Sequence, residues 1–290
     1  MSLGFPVLST DRYKSSFLGD LVQVKHLVAM CFPPSYNIFE RFVHWYHISL
    51  ANEINRITTL NLHGNSIIEI LIFINSYLSP NFMGNPELGI AKDKLPDLLD
   101  QTQHDDLLEK YFKTSKANLS KWLDKTLEQE QGDWLKTEEG DEPNADDKGY
   151  FCTDLPIILY NMITETLNVA NSISNEMKNK VYDIVVEEME IFGQSFIKAM
   201  SEYKTKHLED RSLCPHYHKY MVASINNCKQ IGENFDKIKE ELKVESEADE
   251  NPFDSDDSKI KGIMVEISNS GCKMLCEEVI IDLKVCFDIT

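Results

Sequence analysis

Cys214-Pro215-His216-Tyr217-His218-Lys219-Tyr220-Met221, running on through Ile225-Asn226-Asn227-Cys228 as far as Leu242, decides how this fold is read. Apolar or small residues fall at Tyr217, Met221, Ser224, Ile225, Cys228, Ile231, Phe235, Ile238 and Leu242. Steps of three and four put them on one stripe of a single helix, with Lys, Glu and Asn on its other faces. Pro215 falls in its first turn, where the missing N–H costs nothing. A stripe of about seven turns must be covered by other helices. The stretch therefore predicts a packed helical array rather than the edge of a catalytic sheet.

The same periodicity recurs along the chain. A run over 17–29 stops before Pro33-Pro34, which cannot continue a helix. The next places Phe39, Phe42, Val43, Tyr46, Leu50, Ile54, Ile57 and Leu60 on one side. After a break at Gly64, Ile67, Ile68, Leu71, Ile74 and Leu78 repeat the pattern. Prolines and glycines over 80–96 predict a polar connection. Leu108, Phe112, Leu119, Trp122 and Leu127 then define another face. Beyond an acidic stretch, a helix is expected from Asp154, a capping residue, with Pro156 in its first turn. The longest run carries Met177, Val181, Ile184, Val185, Met189, Phe192, Phe196, Met200 and Tyr203. The last, over 260–286, uses Ile263, Ile267, Leu275, Val279 and Leu283, and only its start at 260–267 imitates a strand. The expected fold class is all-α, built of consecutive antiparallel helical bundles. The boundaries read as a bundle over 1–131, an acidic linker at 132–148, and a second bundle over 149–290 with an acidic disordered loop at 244–258.

The net charge of −19 is concentrated. Residues 128–147 hold nine acids against Lys136 alone, and 245–257 hold seven acids and no base. Outside these two stretches the chain is close to neutral. Nucleic acid is disfavoured as a partner and membrane association is expected to be indirect, because both direct contacts need a basic face. The apolar run 67–78 is twelve residues long and contains Glu69 and Asn75, too short and too polar for a membrane span. The N-terminal residues show no secretory signal pattern, and seven cysteines without a close-set framework suit reduced thiols in the cytosol.

Several residues invite chemistry. Cys214, His216, His218 and Cys228 are zinc-type donors, but Cys228 should lie roughly 20 Å along the helix from Cys214 and belongs to the apolar stripe. Packing is the preferred reading, and no metal or cofactor is assigned. Cys272 and Cys276, four apart, read as two thiols in a helical interface. His44 with His47, and Asp105 with Asp106, are ordinary neighbours rather than acid–base pairs. No nucleophile elbow, phosphate-cradling loop or dinucleotide fingerprint is present, so no small-molecule substrate is expected. Asn251-Pro252-Phe253 in its acidic setting resembles peptides bound by EH domains, against the plainer reading of a linker. Ser246 ahead of Glu247-Ala248-Asp249 fits an acidophilic kinase site, with an unmodified serine as the default.

Gly149-Tyr150-Phe151, Leu155-Pro156, Asn168-Val169-Ala170, Ile173-Ser174, His207-Leu208 and Arg211 follow one another in a fixed order. Pro215-His216, Tyr220-Met221 and Ile225-Asn226-Asn227-Cys228 continue it, with Cys31-Phe32-Pro33-Pro34 and Tyr36 upstream and Cys276-Glu277-Glu278-Val279 downstream. This series resembles the exocyst complex component three (Sec-six subunit) family over nearly the whole chain. The resemblance implies an elongated rod of helical bundles and a non-catalytic scaffold that tethers secretory vesicles to the plasma membrane in exocytosis. It implies other exocyst subunits and SNARE proteins as partners. It also implies a cytoplasmic protein recruited peripherally to exocytic sites. An exocyst-like paralogue in membrane protrusion, or an adaptor acting through Asn251-Pro252-Phe253, is the alternative. The family is considerably longer, with an N-terminal coiled-coil region and further C-terminal bundles, so the chain is expected to be a fragment, a truncated isoform or an incomplete gene model.

Overall fold

Each run with a three-and-four repeat becomes a helix in the computed structural model, which describes residues 11–287 apart from 61, 63, 92, 93, 139 and 246–256. The helices are α1 (Asp11–Gln23), α2 (Ile38–Thr58), α3 (Gly64–Ser76), α4 (Gln101–Trp134), α5 (Leu155–Ile173), α6 (Asn175–Glu209), α7 (Tyr217–Glu245) and α8 (Asp257–Phe287). The strand-like 260–267 is helical within α8. The class is all-α. Among the described residues no helix is long and apolar enough to cross a membrane.

Two compact units result. The first comprises the described residues up to Thr114, with Asn171–Ser174; the second comprises Ser115–Ala170 and the residues from Asn175 onward. The acidic stretch 132–148 thus lies inside the second unit, and the division falls within α4.

In the first unit, α1 does not stop cleanly: a turn of π-helix (Val24–Val28) and a 3-10 turn (Ala29–Cys31) carry it to Phe32. The connection expected to be polar over 80–96 is instead part of the core. Phe82 is fully buried, its ring 5.3 Å from Phe17, 5.8 Å from Phe73 and 5.6 Å from Tyr77. Met83, Leu88, Leu95, Leu98 and Leu99 are buried as well. A tight turn makes this possible: the Phe82 and Gly84 N–H groups both donate to the Ser79 carbonyl. A Cβ on Gly84 would lie 2.1 Å from the Leu78 carbonyl oxygen, so only glycine fits there. Lys25 Nζ then donates to the Glu87 and Leu88 carbonyls at 2.7 and 2.8 Å, holding the connection down.

In the second unit α6 and α7 both pack against α8. Close approach depends on two glycines. A Cβ on Gly193 would meet Ile263 Cγ2 at 2.3 Å, and one on Gly271 would meet Ile225 and Met200 at 2.8 Å. The buried face of α4 here is Leu119, Leu123, Leu127, Glu130 and Trp134. The register is rotated from the expected one, which had included Trp122; that side chain is exposed. On α8, Val279 and Leu283 also prove exposed, because the buried stripe turns to Met274 and Glu278.

One small sheet interrupts the helices. Strands β1 (Asn144–Ala145) and β2 (Phe151–Cys152) pair antiparallel, Asn144 opposite Cys152. Asp146 Oδ1 accepts from the Lys148 and Tyr150 N–H groups at 2.9 and 2.8 Å, and Gly149 takes a φ of 82° to close the turn. The end of the stretch expected as a linker is therefore part of a built hairpin. α7 runs to Glu245 and α8 starts at Asp257; between them Ser246, Asn251, Pro252 and Phe253 lie outside the described residues.

Candidate functional site

The stretch that opened the reading provides the site. Cys214 is buried ahead of α7, its carbonyl accepting from the Tyr217 N–H, and the exposed Pro215 with His216 forms the turn that starts the helix two residues later than expected. Tyr217, Met221, Ser224, Cys228, Ile231, Phe235, Ile238 and Leu242 are all buried, with Ile225 half-buried, so the predicted stripe is the packed face. Tyr220 donates from its hydroxyl to the Asp141 carbonyl at 2.6 Å, and burial pushes its pKa up to about 12. The Cys228 thiol donates to the Ser224 carbonyl, and burial raises it also to about 12. That thiol is inert packing, as expected for a small hydrophobe.

Asn226 and Asn227 clamp the hairpin to α7. Asn226 Nδ2 donates to the Phe151 carbonyl at 2.8 Å. Asn227 engages Thr153 twice: Oδ1 accepts from its N–H at 3.2 Å and Nδ2 donates to its Oγ1 at 2.8 Å. Thr153 Oγ1 in turn accepts from the Leu155 N–H at the start of α5 and donates to Glu130 Oε1 at 2.6 Å. Near the start of α7, His216 Nδ1 is 3.8 Å from Glu142, and Lys219 pairs with the same carboxylate and holds it below its usual range. Glu130 is 5% exposed. Desolvation dominates there and raises its pKa to about 7 despite the Thr153 hydrogen bond. Trp134 Nε1, one turn on, is buried and makes no aligned hydrogen bond.

A second cluster lies at the other side of the α7 start. His207 on α6 and His218 on α7 flank Glu278 on α8. His207 Nε2 is 2.8 Å from Oε1 and His218 Nε2 is 2.9 Å from Oε2. Glu278 is 2% exposed, whereas the His218 side chain is 61% exposed. Tyr217 stacks on His207 at 4.2 Å and 10°. Arg211 reaches Glu278 Oε1 at 3.8 Å and pairs with Asp282, while Lys204 pairs with Glu277 at 2.7 Å. His207, His218 and Glu278 are the donors that could hold a metal ion.

The quartet considered from sequence does not form. Cys214 and Cys228 are buried in separate contacts, His216 turns to Glu142, and only His218 joins a metal-type group. Cys272 and Cys276, expected in an interface, are exposed on α8. His47 is buried and faces Tyr77 rather than acting with His44: its Nδ1 lies 2.8 Å from the Tyr77 hydroxyl. Sequence reasoning missed the His207–Glu278 pair, 71 residues apart, and the buried Glu130. The only signal for the pair was that His207, Arg211 and Glu278 all belong to the series of residues carrying the family resemblance.

Residues 12–289 match the family described as exocyst complex component Sec6. The chain is 27% identical over 241 residues to exocyst complex component 3 of Caenorhabditis elegans, covering 82% of this chain and 30% of that protein. It is 30% identical over 214 residues to the exocyst complex component 3-like protein of Danio rerio, covering 73% and 27%. The chain thus spans less than a third of the length of these relatives. The crystal structure of M-Sec superposes with a TM-score of 0.73 at 18% identity, over 95% of this chain and 45% of that one, a likeness of fold. With the match running through both units, the chain belongs to the exocyst complex component Sec6 family.

Proposed function

We propose that this chain acts as a non-catalytic scaffold segment of an exocyst subunit, presenting helix surfaces to other exocyst subunits and to SNARE proteins while a vesicle is tethered at the plasma membrane. The observation that carries this reading is a family match over 12–289 that follows helices from end to end rather than a local pocket. Scaffolding needs stiffness, and the α6–α7–α8 packing supplies it through glycine contacts and buried staples. It also needs apolar side chains left outside the core. Val265, Val279, Ile280 and Leu283 on α8, and Trp45 and Ile48 on α2, are such residues. Binding energy would come from a few of them once desolvated. On this reading the protein works in the cytoplasm and reaches the membrane through its partners.

The test is affinity purification of the tagged 290-residue chain from cytosol of its own species, with bound proteins identified by mass spectrometry. Several exocyst subunits are expected, with recovery reduced by the pair Val279→Glu and Leu283→Glu and unchanged by deletion of 246–256. Recovery of none by protein shown to be helical and monodisperse overturns the reading. Loss on deleting 246–256 would favour the adaptor alternative through Asn251, Pro252 and Phe253.

A further inference from the structure

Three helices bring two imidazoles and one carboxylate to a single point. His207, His218 and Glu278 each offer one ligand atom, and these atoms lie within 4.8 Å of one another. Ligands around a tetrahedral zinc stand about 3.3 Å apart, since each bond is about 2.0–2.2 Å long. His207 Nε2 lies 2.8 Å from Oε1 and His218 Nε2 lies 2.9 Å from Oε2, so a small opening of the cluster brings the donors to that spacing. The exposed His218 can adjust without disturbing the core.

The state of the carboxylate points to a ligand. Glu278 is almost wholly removed from water, yet its Oε2 makes no hydrogen bond, although His218 Nε2 is only 2.9 Å away. The two atoms are close but not aligned as donor and acceptor, which leaves a lone pair on a buried carboxyl oxygen unused. A buried oxygen in that condition is costly unless a cation or donor meets it. The Tyr217 ring stacked on His207 fixes the plane of that imidazole, and the His218 side chain, 61% exposed, brings the third donor in from the surface.

From this geometry we infer that His207 Nε2, His218 Nε2 and a Glu278 carboxylate oxygen form a three-ligand site for a divalent transition metal of the zinc class. Two imidazoles and a carboxylate are the donor set such ions prefer, and magnesium or calcium would require more oxygens. Two features hold the affinity down. Arg211 places a positive charge 3.8 Å from Glu278 Oε1, partly neutralised by its pairing with Asp282. His207 Nδ1 is buried without a hydrogen-bond partner, so the outer support that strengthens a metal-bound imidazole is missing. The expected binding is therefore micromolar, joining α6, α7 and α8 at one end rather than building the fold. This inference does not depend on the scaffold reading and stands or falls by itself.

The untagged 290-residue chain, stripped with chelator, would be titrated with zinc chloride by calorimetry and with cobalt chloride by visible absorption. One equivalent of each is expected, with a rise in melting temperature that chelator reverses. His218→Ala and Glu278→Gln should each weaken zinc binding about tenfold or more. Cys272→Ser with Cys276→Ser, and His216→Ala, should leave it unchanged. Absence of zinc binding at micromolar concentrations overturns the site, as does binding that survives His218→Ala or follows the cysteines. If Glu278→Gln fails to fold, His218→Ala decides alone, since its side chain is exposed and its loss leaves the helix intact.

Discussion

His47 in the first unit and Glu130 in the second are both buried in hydrogen-bonded settings, and the two respond to pH in opposite directions. In the first unit His47 faces the Tyr77 hydroxyl, and desolvation, with a smaller contribution from His44, lowers its pKa below the ordinary 6.5. As pH falls through 6.5 the unfolded chain takes up a proton that the folded one refuses, so stability is lost on acidification. In the second unit burial raises Glu130 from 4.5 to about 7. Here the folded chain keeps a proton that the unfolded chain releases, so stability is greatest below pH 4.5 and is lost as pH rises towards 7. A neutral histidine and a protonated carboxyl are two solutions to one problem: a polar group placed where charge is expensive. Mild acid should therefore weaken one unit and strengthen the other.

The most forceful way to separate the units is to empty each core. Phe82→Ala removes the ring that Phe17, Phe73 and Tyr77 surround, and Trp134→Ala removes one packed 5.6 Å from Phe196 and 5.3 Å from Tyr203. Each should cost about 3–5 kcal/mol. Peptide-resolved hydrogen exchange should show the loss of protection confined to the unit that was altered. Loss spread evenly over both would mean that the chain unfolds as one body.

Next in size is Glu130→Gln. The amide keeps an acceptor for the Thr153 hydroxyl and cannot ionise. Above pH 7 it should stabilise the second unit by up to the order of 3 kcal/mol, and below pH 4.5 it should change little. Urea unfolding at pH 5 and pH 8 reads the difference. An unchanged pH slope in the variant would show that Glu130 is not the group responsible. Gly193→Ala follows, because its new Cβ would sit 2.3 Å from Ile263 Cγ2 on a stiff β-branched side chain. The strain should cost about 1–3 kcal/mol. A paired Ile263→Ala, which removes that Cγ2, should recover part of it if close helix approach is the cause.

Much of this was legible from residue spacing. The α7 stripe is buried almost position for position, because a single period over 29 residues leaves one face to cover. What spacing could not show was the rotation of a face by one residue on α4, or its turn away from Val279 on α8, since tertiary packing chooses among adjacent apolar positions. Composition misled where it averaged. The acidic 132–148 stretch reads as a linker, yet Trp134 at its start is interior and its end enters a hairpin closed by Asp146 and Gly149. Over 80–96, turn residues concealed Phe82, Met83 and Leu88, whose apolar contribution lay between the prolines and glycines. The His207–Glu278–His218 cluster was invisible for a different reason: a site built from three helices has no local pattern.

The smallest expected effects are the most informative about the asparagine pair. Asn227 is 1% exposed and uses both ends of its amide on Thr153, so Asn227→Ala strands the half-buried Thr153 N–H and should cost about 1–3 kcal/mol. Asn226 is half-buried and donates to the Phe151 carbonyl, a bond that water can replace in part; Asn226→Ala should cost about 0.5–1.5 kcal/mol. Both should loosen the 144–152 hairpin in hydrogen exchange, Asn227→Ala more, while the His47 region stays protected. If Asn226→Ala leaves stability and the hairpin untouched, its side chain is free of structural duty there. The adjacent surface of α7, with Lys219 and the hairpin beside it, then becomes the place to look for a partner.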